Sequence, residues 1–437
     1  MKIVIVSTRY LGDCLLSAAL SRPIKAKFPD ALVDIITFCG NETILENISS
    51  VDHVITMPKN LSPLGIIRKF IQKHNYYDWA LITQTSDRAL FPGLWISKNQ
   101  CMITYLRNRL SDLKFRLLTH PKAPVRGHWL DQQGLLLQPI LGGSVFVDPV
   151  APFNSNLPIK VSSFIGKGQY VVCHPFSRYE DKNWADDNWR SLFAFFIAEK
   201  FNIVLTGGPA EAEHQRIDRL IAGLDNHRIL NASGLLTFGQ CRNIIEKARL
   251  YVGVDTATSH IAAATGIDCI CLFGPTDVIT WGPSPKQRKP YSEKLAIQQN
   301  GNVVIVRHPD FLNCHFCTRH RCPINRTNPL EAICMQMLSS QTVCQVADSL
   351  LKGELCAPSA PIYLAGWKPY PSNYYLIAIC LYSTIGMRIR PPKKCNCTRL
   401  REQTAYNAWS ISPAPIFLST ATTEMLSWRV TRCCLSK

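Results

Sequence analysis

Short runs of apolar, mostly β-branched residues alternate with longer amphipathic segments along most of the chain. The runs lie at residues 2–7, 33–38, 53–57 and 79–83, and a second series lies at 170–174, 202–206, 228–231, 250–254 and 269–273. Between the first two runs, Leu15, Leu16, Ala19 and Ile24 fall at helical spacing and predict a helix over Gly12–Lys27. This alternation is typical of parallel βαβ units.

The two series of runs predict two domains. The stretch from about Pro149 to Lys167 is rich in Pro, Ser, Asn and Gly, as linkers are. We therefore expect an α/β protein with two Rossmann-like, doubly wound domains, over residues 1–155 and 165–355. Ligands of such folds bind outside the carboxyl ends of the strands, so the site should lie in a cleft between the two sheets.

Residues 356–437 differ in character from the rest. They contain ten Lys and Arg residues against two Glu, together with six cysteines, and they show no amphipathic period. We predict a basic, poorly ordered tail here. A tail that associates with a membrane is the functional alternative.

Composition and charge narrow the class of protein. Of the 437 residues, 46% are hydrophobic and 18% charged, as in globular proteins, and the net charge of +17 favours an anionic partner. Nucleic acid, an acidic membrane surface and a phosphorylated glycolipid all qualify. The N-terminus does not resemble a signal peptide, and no apolar run reaches the roughly 20 residues that span a bilayer. We expect a cytoplasmic protein with reduced cysteines and no transmembrane segment.

The first motif that suggests a chemical role follows the first apolar run, at Ser7-Thr8-Arg9-Tyr10-Leu11-Gly12-Asp13. A glycine at this turn lets backbone approach a ligand, and the helix that follows begins with partial positive charge. Asp13 is therefore a candidate general base at the mouth of the cleft. Alternatively, it is only a favourable residue for a helix start.

A second motif follows the first run of the second series, at residues 174–184. Ser177, Arg178 and Lys182 bring hydroxyl, guanidinium and ammonium groups to one loop. A departing diphosphate needs such donors, because negative charge grows on it as the bond to it breaks. Alternatively, Arg178 and Lys182 pair with Glu180 and Asp181 on a solvated loop.

A third motif, Thr206–Glu213, contains a glycine pair before Pro209, which is favoured at the first position of a helix. The pair can serve turn geometry alone. In the functional interpretation Gly207 lies close to a nucleotide, and Glu211 or Glu213 accepts hydrogen bonds from its ribose or base.

The fourth motif is the most specific. The run at 250–254 ends in Asp255, Thr256 and Ala257, and an alanine-rich helix with His260 in its first turns follows. Unpaired amides at a helix start suit phosphate oxygens, so these residues are candidates for binding a phosphorylated donor. Alternatively, Asp255 and Thr256 cap the helix and His260 is a satisfied core residue.

Taken in order, these motifs resemble those of the glycosyltransferase family 9 heptosyltransferases of lipopolysaccharide core assembly. The matching segments are Leu11-Gly12-Asp13, Lys182-Asn183-Trp184, Gly207-Gly208-Pro209, Gly253-Val254-Asp255-Thr256 with His260, and Leu272-Phe273-Gly274-Pro275-Thr276-Asp277. The resemblance covers Met1 to about Leu351. The Lys-x-Trp pattern at Lys182-Asn183-Trp184 and the segment Trp281-Gly282-Pro283 are most similar to the heptosyltransferase III group.

The resemblance implies a fold, a reaction and a set of residue roles. It implies a GT-B architecture, an inverting transfer from ADP-L-glycero-β-D-manno-heptose to the lipopolysaccharide inner core, and no cofactor or catalytic metal. Asp13 would be the general base, and Lys182 would stabilise the donor diphosphate. Asp255, Thr256 and His260 would line the donor pocket. Ala257 departs from the glycine usual in the family and would narrow the approach of backbone to the donor.

Basic residues of the first half are candidates for the acceptor. They could bind phosphates and carboxylates of an inner core at the cytoplasmic face of a membrane, or they could be ordinary solvated positions. Arg107 and Arg109 are the main candidates, together with Arg68, Lys69, Lys114, Arg116 and Arg126.

Four cysteines in the second half have spacing that can bind zinc. They are Cys314, Cys317, Cys322 and Cys334. A structural zinc site or a cysteine-linked loop is one interpretation, and buried or incidental thiols are the other.

Three other functions share parts of these patterns. A nicotinamide-dependent oxidoreductase would need a Gly-x-Gly-x-x-Gly triplet after its first strand, and this chain lacks one there. A transferase of another nucleotide sugar stays open, as does a non-catalytic protein that binds a nucleotide sugar or a nucleic acid. A non-catalytic binder leaves Asp13 and Lys182 at opposing sheet ends without a purpose.

Overall fold

The computed structural model describes two α/β halves that follow one another along the chain. It describes residues 1–103, 113, 115, 117–122, 126–143, 145–312, 314, 317 and 320–354. The tail predicted at 356–437 lies outside these residues. In the part of the chain that the model describes, no helix combines the length and apolar character needed to cross a bilayer.

The first half is built on a six-stranded parallel sheet in the order β3-β2-β1-β4-β5-β6. Its strands are β1 Lys2–Val6, β2 Leu32–Phe38, β3 His53–Met57, β4 Tyr77–Ile82, β5 Ser97–Ile103 and β6 His120–Lys122. Its described helices are α1 Leu11–Ala18, α2 Ser21–Lys27, α3 Pro63–Lys69, α4 Asp87–Ile96, α5 Trp129–Gly134 and α6 Gln138–Leu141, and α7 Ile159–Ile165 follows before the second sheet.

Both faces of this sheet are covered by helices. Ile3 and Ile5 of β1 belong to the core on the side of α1 and α2, whereas Val4 and Val6 belong to the core on the side of α3 and α4. Side chains of a strand alternate between faces, so a strand buried on both sides must be apolar throughout. That requirement explains the continuous apolar runs of the sequence.

The second half contains a seven-stranded sheet in the order β12-β13-β11-β10-β7-β8-β9, in which only β12 is antiparallel to its neighbour. The strands are β7 Tyr170–His174, β8 Asn202–Leu205, β9 Ile229–Asn231, β10 Tyr251–Val254, β11 Cys269–Leu272, β12 Ile297–Asn300 and β13 Val303–Val306. The helices are α8 Asp186–Ala198, α9 Glu211–Ile221, α10 Phe238–Glu246, α11 Ala257–Thr265, α12 Val278–Trp281, α13 Ile333–Gln336 and α14 Ser340–Leu351.

The structure confirms the nine predicted strands and the parallel α/β class, and it corrects two other predictions. The single helix expected over Gly12–Lys27 is two helices, because Pro23 has no N–H with which to bond the carbonyl of Ala19. The linker expected at 149–167 contains the helix α7. The domain limits of 155 and 165 stay a prediction.

Two groups of contacts between the halves are formed by segments that follow the strands. In one, His128 Nε2 lies 2.8 Å from the carbonyl oxygen of Gly282, and Trp129 stacks on Trp281 with ring centroids 4.9 Å apart. In the other, Glu46 accepts a hydrogen bond of 2.7 Å from the hydroxyl of Thr237. These contacts hold the carboxyl ends of the two sheets opposite each other.

Candidate functional site

Asp13 lies where the first sheet meets the second half. The chain leaves β1, extends through Tyr10 and enters α1 at Leu11, which places Asp13 in the first turn of that helix. Its side chain is half-buried, and its Oδ1 atom is buried with no hydrogen-bond partner among the described residues. Burial raises the pKa of Asp13, although Arg9 and Lys182 act in the opposite direction. A carboxylate that is poorly solvated is a stronger base than one in water.

Lys182 and Asp255 form an ion pair opposite Asp13. Lys182 ends a 3₁₀ turn after β7 and Asp255 follows β10, and the ammonium lies 2.6 Å from Asp255 Oδ2. Only 8% of the Asp255 side chain is exposed. Burial by itself would raise the pKa of Asp255, but Lys182, Thr276 and His260 together lower it. The pair therefore keeps a buried carboxylate ionised, and it places a cation at the carboxyl end of the second sheet.

His260 joins this cluster from the second turn of α11. Its ring is buried, and its Nδ1 atom has no hydrogen-bond partner among the described residues. Burial lowers the pKa of His260 to about 4, so the ring is neutral at physiological pH. A neutral imidazole with a free nitrogen can bond a ligand hydroxyl, which argues against a satisfied core residue.

The start of α11 carries free backbone donors. Thr256 occupies the N-cap in an extended conformation and makes no side-chain cap bond, and Ala257 is the first helical residue. A helix start of this kind leaves amide groups available for an anion. The proposed capping role of Thr256 is therefore not observed.

The two halves approach each other closely at this cluster. A Cβ atom added to Gly12 would lie 3.9 Å from Cδ2 of His260, which is ordinary van der Waals contact between α1 and α11. Lys182 acts electrostatically on Asp13 and on His260. The structure thus brings Asp13, Lys182, Asp255 and His260 together, from segments widely separated in sequence.

Other predicted donor residues lie outside this cluster. Arg178 is exposed, with its guanidinium carbon 5.9 Å from the ring centroid of Tyr179. The hydroxyl of Ser177 accepts a bond of 3.3 Å from the amide of Tyr179. Glu211 is exposed at the start of α9 and accepts a bond of 2.9 Å from Gln215. The structure gives these side chains no contact with Asp13 or Lys182.

Gly207 is held in a tightly packed turn. A Cβ atom there would lie 2.7 Å from Oε1 of Glu213 and 3.0 Å from Cβ of Ser233. Glu213 also accepts a bond of 2.8 Å from the amide of Gly208. Glu213 therefore holds the turn, which is a structural role that the sequence did not distinguish from binding of ribose.

A Gly207→Ala variant should be destabilised by about 1–3 kcal/mol, because the added methyl group overpacks this turn. Thermal or urea unfolding measures the change. Gly143→Ala is the matched control: a Cβ atom there meets no atom within 4 Å, so its stability should stay near that of the parent. Equal stability of both variants would show that the turn relaxes and that Gly207 is free for another role.

The sequence interpretation missed an aromatic bridge across the two halves. Tyr10, which precedes α1, makes an edge-to-face contact with Tyr179 at a centroid distance of 6.3 Å. Tyr179 stacks on His320 at 3.6 Å, and His320 Nδ1 lies 3.2 Å from Asp181 Oδ2. Tyr10 stands inside the first motif, but nothing in the sequence pairs it with residues so far along the chain.

The predicted acceptor residues are only partly described. Arg107 and Arg109 lie outside the described residues, as do Lys114 and Arg116. Among the described candidates, Arg126 pairs with Glu293 at 3.2 Å, which ties it to the second half. The acceptor role of these residues stays a prediction.

The four cysteines lie near one another, two of them buried (Cys322 and Cys334) and two half-buried (Cys314 and Cys317). Burial, with the neighbouring thiols, raises the pKa of Cys334 to about 12. Across the described residues, no group of three or more His, Cys, Asp or Glu side chains could hold a metal ion.

Comparison of the sequence with known proteins gives relatives of one kind. Residues 152–303 match the model of glycosyltransferase family 9 (heptosyltransferase). Lipopolysaccharide heptosyltransferase 3 of Escherichia coli K12 is 25% identical over 294 residues, which are 63% of this chain and 83% of that protein. A second Escherichia coli protein of the same name is 27% identical over 289 residues, 63% of this chain and 84% of that protein.

Solved structures show the same architecture. ADP-heptose lps heptosyltransferase II of E. coli superposes with a TM-score of 0.60 at 15% identity, over 81% of this chain and 99% of that one. The E. coli heptosyltransferase WaaC with ADP superposes with a TM-score of 0.58 at 19% identity, over 80% and 100%. At such identities the likeness concerns the fold, and it confirms the predicted GT-B architecture.

Proposed function

Because this chain belongs to glycosyltransferase family 9, we propose that it transfers a heptose from ADP-heptose to the lipopolysaccharide core, with Asp13 as the general base. One observation carries the proposal: the Asp13 carboxylate of the first half faces the Lys182–Asp255 pair of the second. A displacement needs a base at the acceptor and a cation at the leaving group, and each half supplies one of them.

The reaction is a single displacement at the anomeric carbon. Asp13 takes the proton from an acceptor hydroxyl as that oxygen forms a bond to the heptose. The bond between the heptose and the β-phosphate oxygen breaks, and ADP leaves with the electron pair. Attack from the face opposite the diphosphate inverts the anomeric centre.

The second half supplies the charge that the leaving diphosphate needs. The Lys182 ammonium has three donors and uses one on Asp255, so it can bind a phosphate oxygen without leaving its partner. The amides at the start of α11 offer further donors to the same anion. Asp255 compensates the lysine charge when the donor is absent.

His260 is suited to form a hydrogen bond with a hydroxyl group of the donor sugar. Its ring is neutral because burial lowers its pKa to about 4, and its Nδ1 atom lacks a protein partner within the described chain. A buried site that hydrogen-bonds a hydroxyl discriminates strongly against sugars lacking it, because the polar group would otherwise stay unpaired. The ADP bound to the E. coli WaaC protein supports an ADP-linked sugar as donor, and the names of the relatives support heptose as that sugar.

A transfer assay tests the proposal. The purified protein is incubated with ADP-heptose or with other nucleotide sugars, and with core oligosaccharides truncated at successive positions. We expect transfer from ADP-heptose to one truncated core, measured as ADP release and as a mass increase of one heptose. If the protein prefers another nucleotide sugar, that sugar is the donor and the proposed ADP-heptose is wrong. Donor binding without transfer to any core would favour a non-catalytic binding protein.

A further inference from the structure

One helical layer of the first half exposes large apolar side chains to solvent. Helices α3 and α4 bury Ile66, Ala89 and Leu90 against the sheet. On the outer side, Leu64 is 69% exposed and Ile71, just after α3, is 63% exposed. Phe91 of α4 is exposed as well, and so are Leu113, Leu117 and Leu118, which lie beside Phe115 of the same core cluster. Six exposed apolar side chains within this one stretch of chain make it a candidate interaction surface.

The same stretch of chain is strongly basic. Residues 59–122 contain six Lys and five Arg against three Asp and no Glu, a net charge of +8. Arg68 and Lys69 of α3 and Arg88 of α4 are exposed. Leu64 and Arg68 are four residues apart on α3, so an apolar and a cationic side chain share one side of that helix, and Ile71 follows in the 3₁₀ turn after it.

We propose that this layer docks the protein on an anionic phospholipid bilayer. We call it the docking face and define it by its exposed side chains: Leu64, Arg68, Lys69, Ile71, Arg88, Phe91, Leu113, Leu117 and Leu118. The apolar side chains enter the boundary between headgroups and acyl chains, and the cations bind lipid phosphates. A soluble polyanion would use the charge but leave the leucines in water, which is why the observations favour a bilayer.

Docking by this face would serve the proposed function, and the biological role inferred for the face rests on that function. A lipopolysaccharide core is attached to a lipid, so its acceptor hydroxyl stays close to a membrane. The docking face covers the sheet whose strand β1 leads into α1 and Asp13, and α1 packs on the opposite side of that sheet. Binding by this half therefore brings the general base to the membrane that carries the acceptor.

Vesicle co-sedimentation of the full-length protein tests the face. The vesicles contain phosphatidylcholine alone or a mixture with phosphatidylglycerol, and they contain no lipopolysaccharide. We expect binding to the anionic vesicles only. Leu64→Ser with Ile71→Ser should lower the partition coefficient at least tenfold through lost apolar burial. Arg68→Gln with Lys69→Gln should lower it by roughly fivefold per charge removed.

Two matched variants control for general surface effects. Ile159→Ser with Lys160→Gln alters an equally exposed apolar and basic pair on α7, outside the docking face, and should leave binding unchanged. Lys393→Gln with Lys394→Gln removes two charges from the tail and should also leave it unchanged. Loss of binding in the tail variant with full binding in both docking-face variants would overturn the proposal. So would equal loss in the α7 variant, or loss in the charge variant without loss in the apolar one.

The assay separates this inference from the proposed function. Vesicle binding needs neither donor nor acceptor, so it stands or falls without the transferase chemistry. The Leu64→Ser, Ile71→Ser variant should retain transfer to a soluble, deacylated core oligosaccharide and lose it with an acceptor embedded in vesicles. Equal transfer to both acceptors would count against the docking face, whereas absence of transfer in the parent protein would count against the proposed function alone.

Discussion

An Asp13→Asn variant should lose sugar transfer and yet fold at least as stably as the parent. The substitution removes the proposed base, and general base catalysis contributes typically 10²–10⁴-fold to a rate. Burial raises the pKa of Asp13 in the folded protein, so the ionised carboxylate destabilises the fold at neutral pH. A neutral amide of the same shape removes that cost. Initial rates of ADP release and the thermal unfolding midpoint measure the two effects.

The direction of the pH dependence follows from the same shift. Because the folded pKa of Asp13 lies above its unfolded value, its destabilising effect is absent below the unfolded pKa, develops as pH rises between the two values and is complete above the folded pKa. The stability advantage of the amide should therefore grow over that interval and stay constant at higher pH. The transfer rate of the parent should rise with pH over the same range, with a midpoint above the ordinary carboxyl value of 3.8.

Asp52→Asn is the matched control. The Asp52 carboxylate accepts bonds from Lys25 and from the amide of Val33, and these outweigh burial to lower its pKa. The amide should therefore cost stability at neutral pH and leave transfer unchanged. Retained transfer in Asp13→Asn would remove Asp13 from the mechanism, and a lowered unfolding midpoint would show that its carboxylate makes a stabilising contact.

A Lys182→Ala variant should lose both stability and transfer. It leaves the Asp255 carboxylate buried without its cation, and breaking a buried pair in this way costs about 3–5 kcal/mol. The leaving diphosphate also loses a donor, which in other enzymes slows kcat by roughly 10²–10³-fold. Urea unfolding and single-turnover transfer measure the two losses separately.

The stability loss should depend on pH and on Asp255. In the parent, the lowered pKa of Asp255 gives a stabilisation that is present above the unfolded pKa and lost as pH falls through the folded pKa. The difference between parent and variant should therefore shrink in acid. Adding Asp255→Ala should restore part of the stability, because no buried charge is then left unpaired.

Lys352→Ala provides a matched ion pair on the surface. Lys352 lies 2.6 Å from Asp348, the same distance as Lys182 from Asp255, but both side chains are exposed at the end of α14. Solvent screens such a pair, so its loss should hardly change stability. A Lys182→Ala variant as stable as Lys352→Ala would show that water reaches Asp255. Lys182 would then not be needed to compensate the charge of the Asp255 carboxylate.

Most strands buried on both faces could be predicted from the sequence, although the fully buried β13 was missed. Strands β1, β2 and β7 consist of nearly unbroken apolar residues, because each packs against helices on two sides. Strand β5 escaped prediction since Ser97, Lys98, Asn99 and Gln100 fill its first half. Its buried apolar residues begin only at Cys101, so its sequence lacks the signal of a central strand.

Candidate residues could be predicted from their place in local motifs. Asp13, Lys182, Asp255 and His260 each follow an apolar run, and the carboxyl ends of parallel strands are where ligands bind. Gly207 was equally visible, but its role was not. Whether a glycine lies close to a ligand or to Glu213 depends on packing that a linear motif does not contain.

The sequence by itself determined the class of fold, most of its strands and the set of polar residues at their ends. Only the tertiary structure decided which of those residues meet. The bond between Lys182 and Asp255 joins positions 73 residues apart, and Gly12 reaches His260 from the opposite half of the molecule. Such contacts depend on strand order and on the packing of two sheets against each other, which arise from the burial of many side chains together.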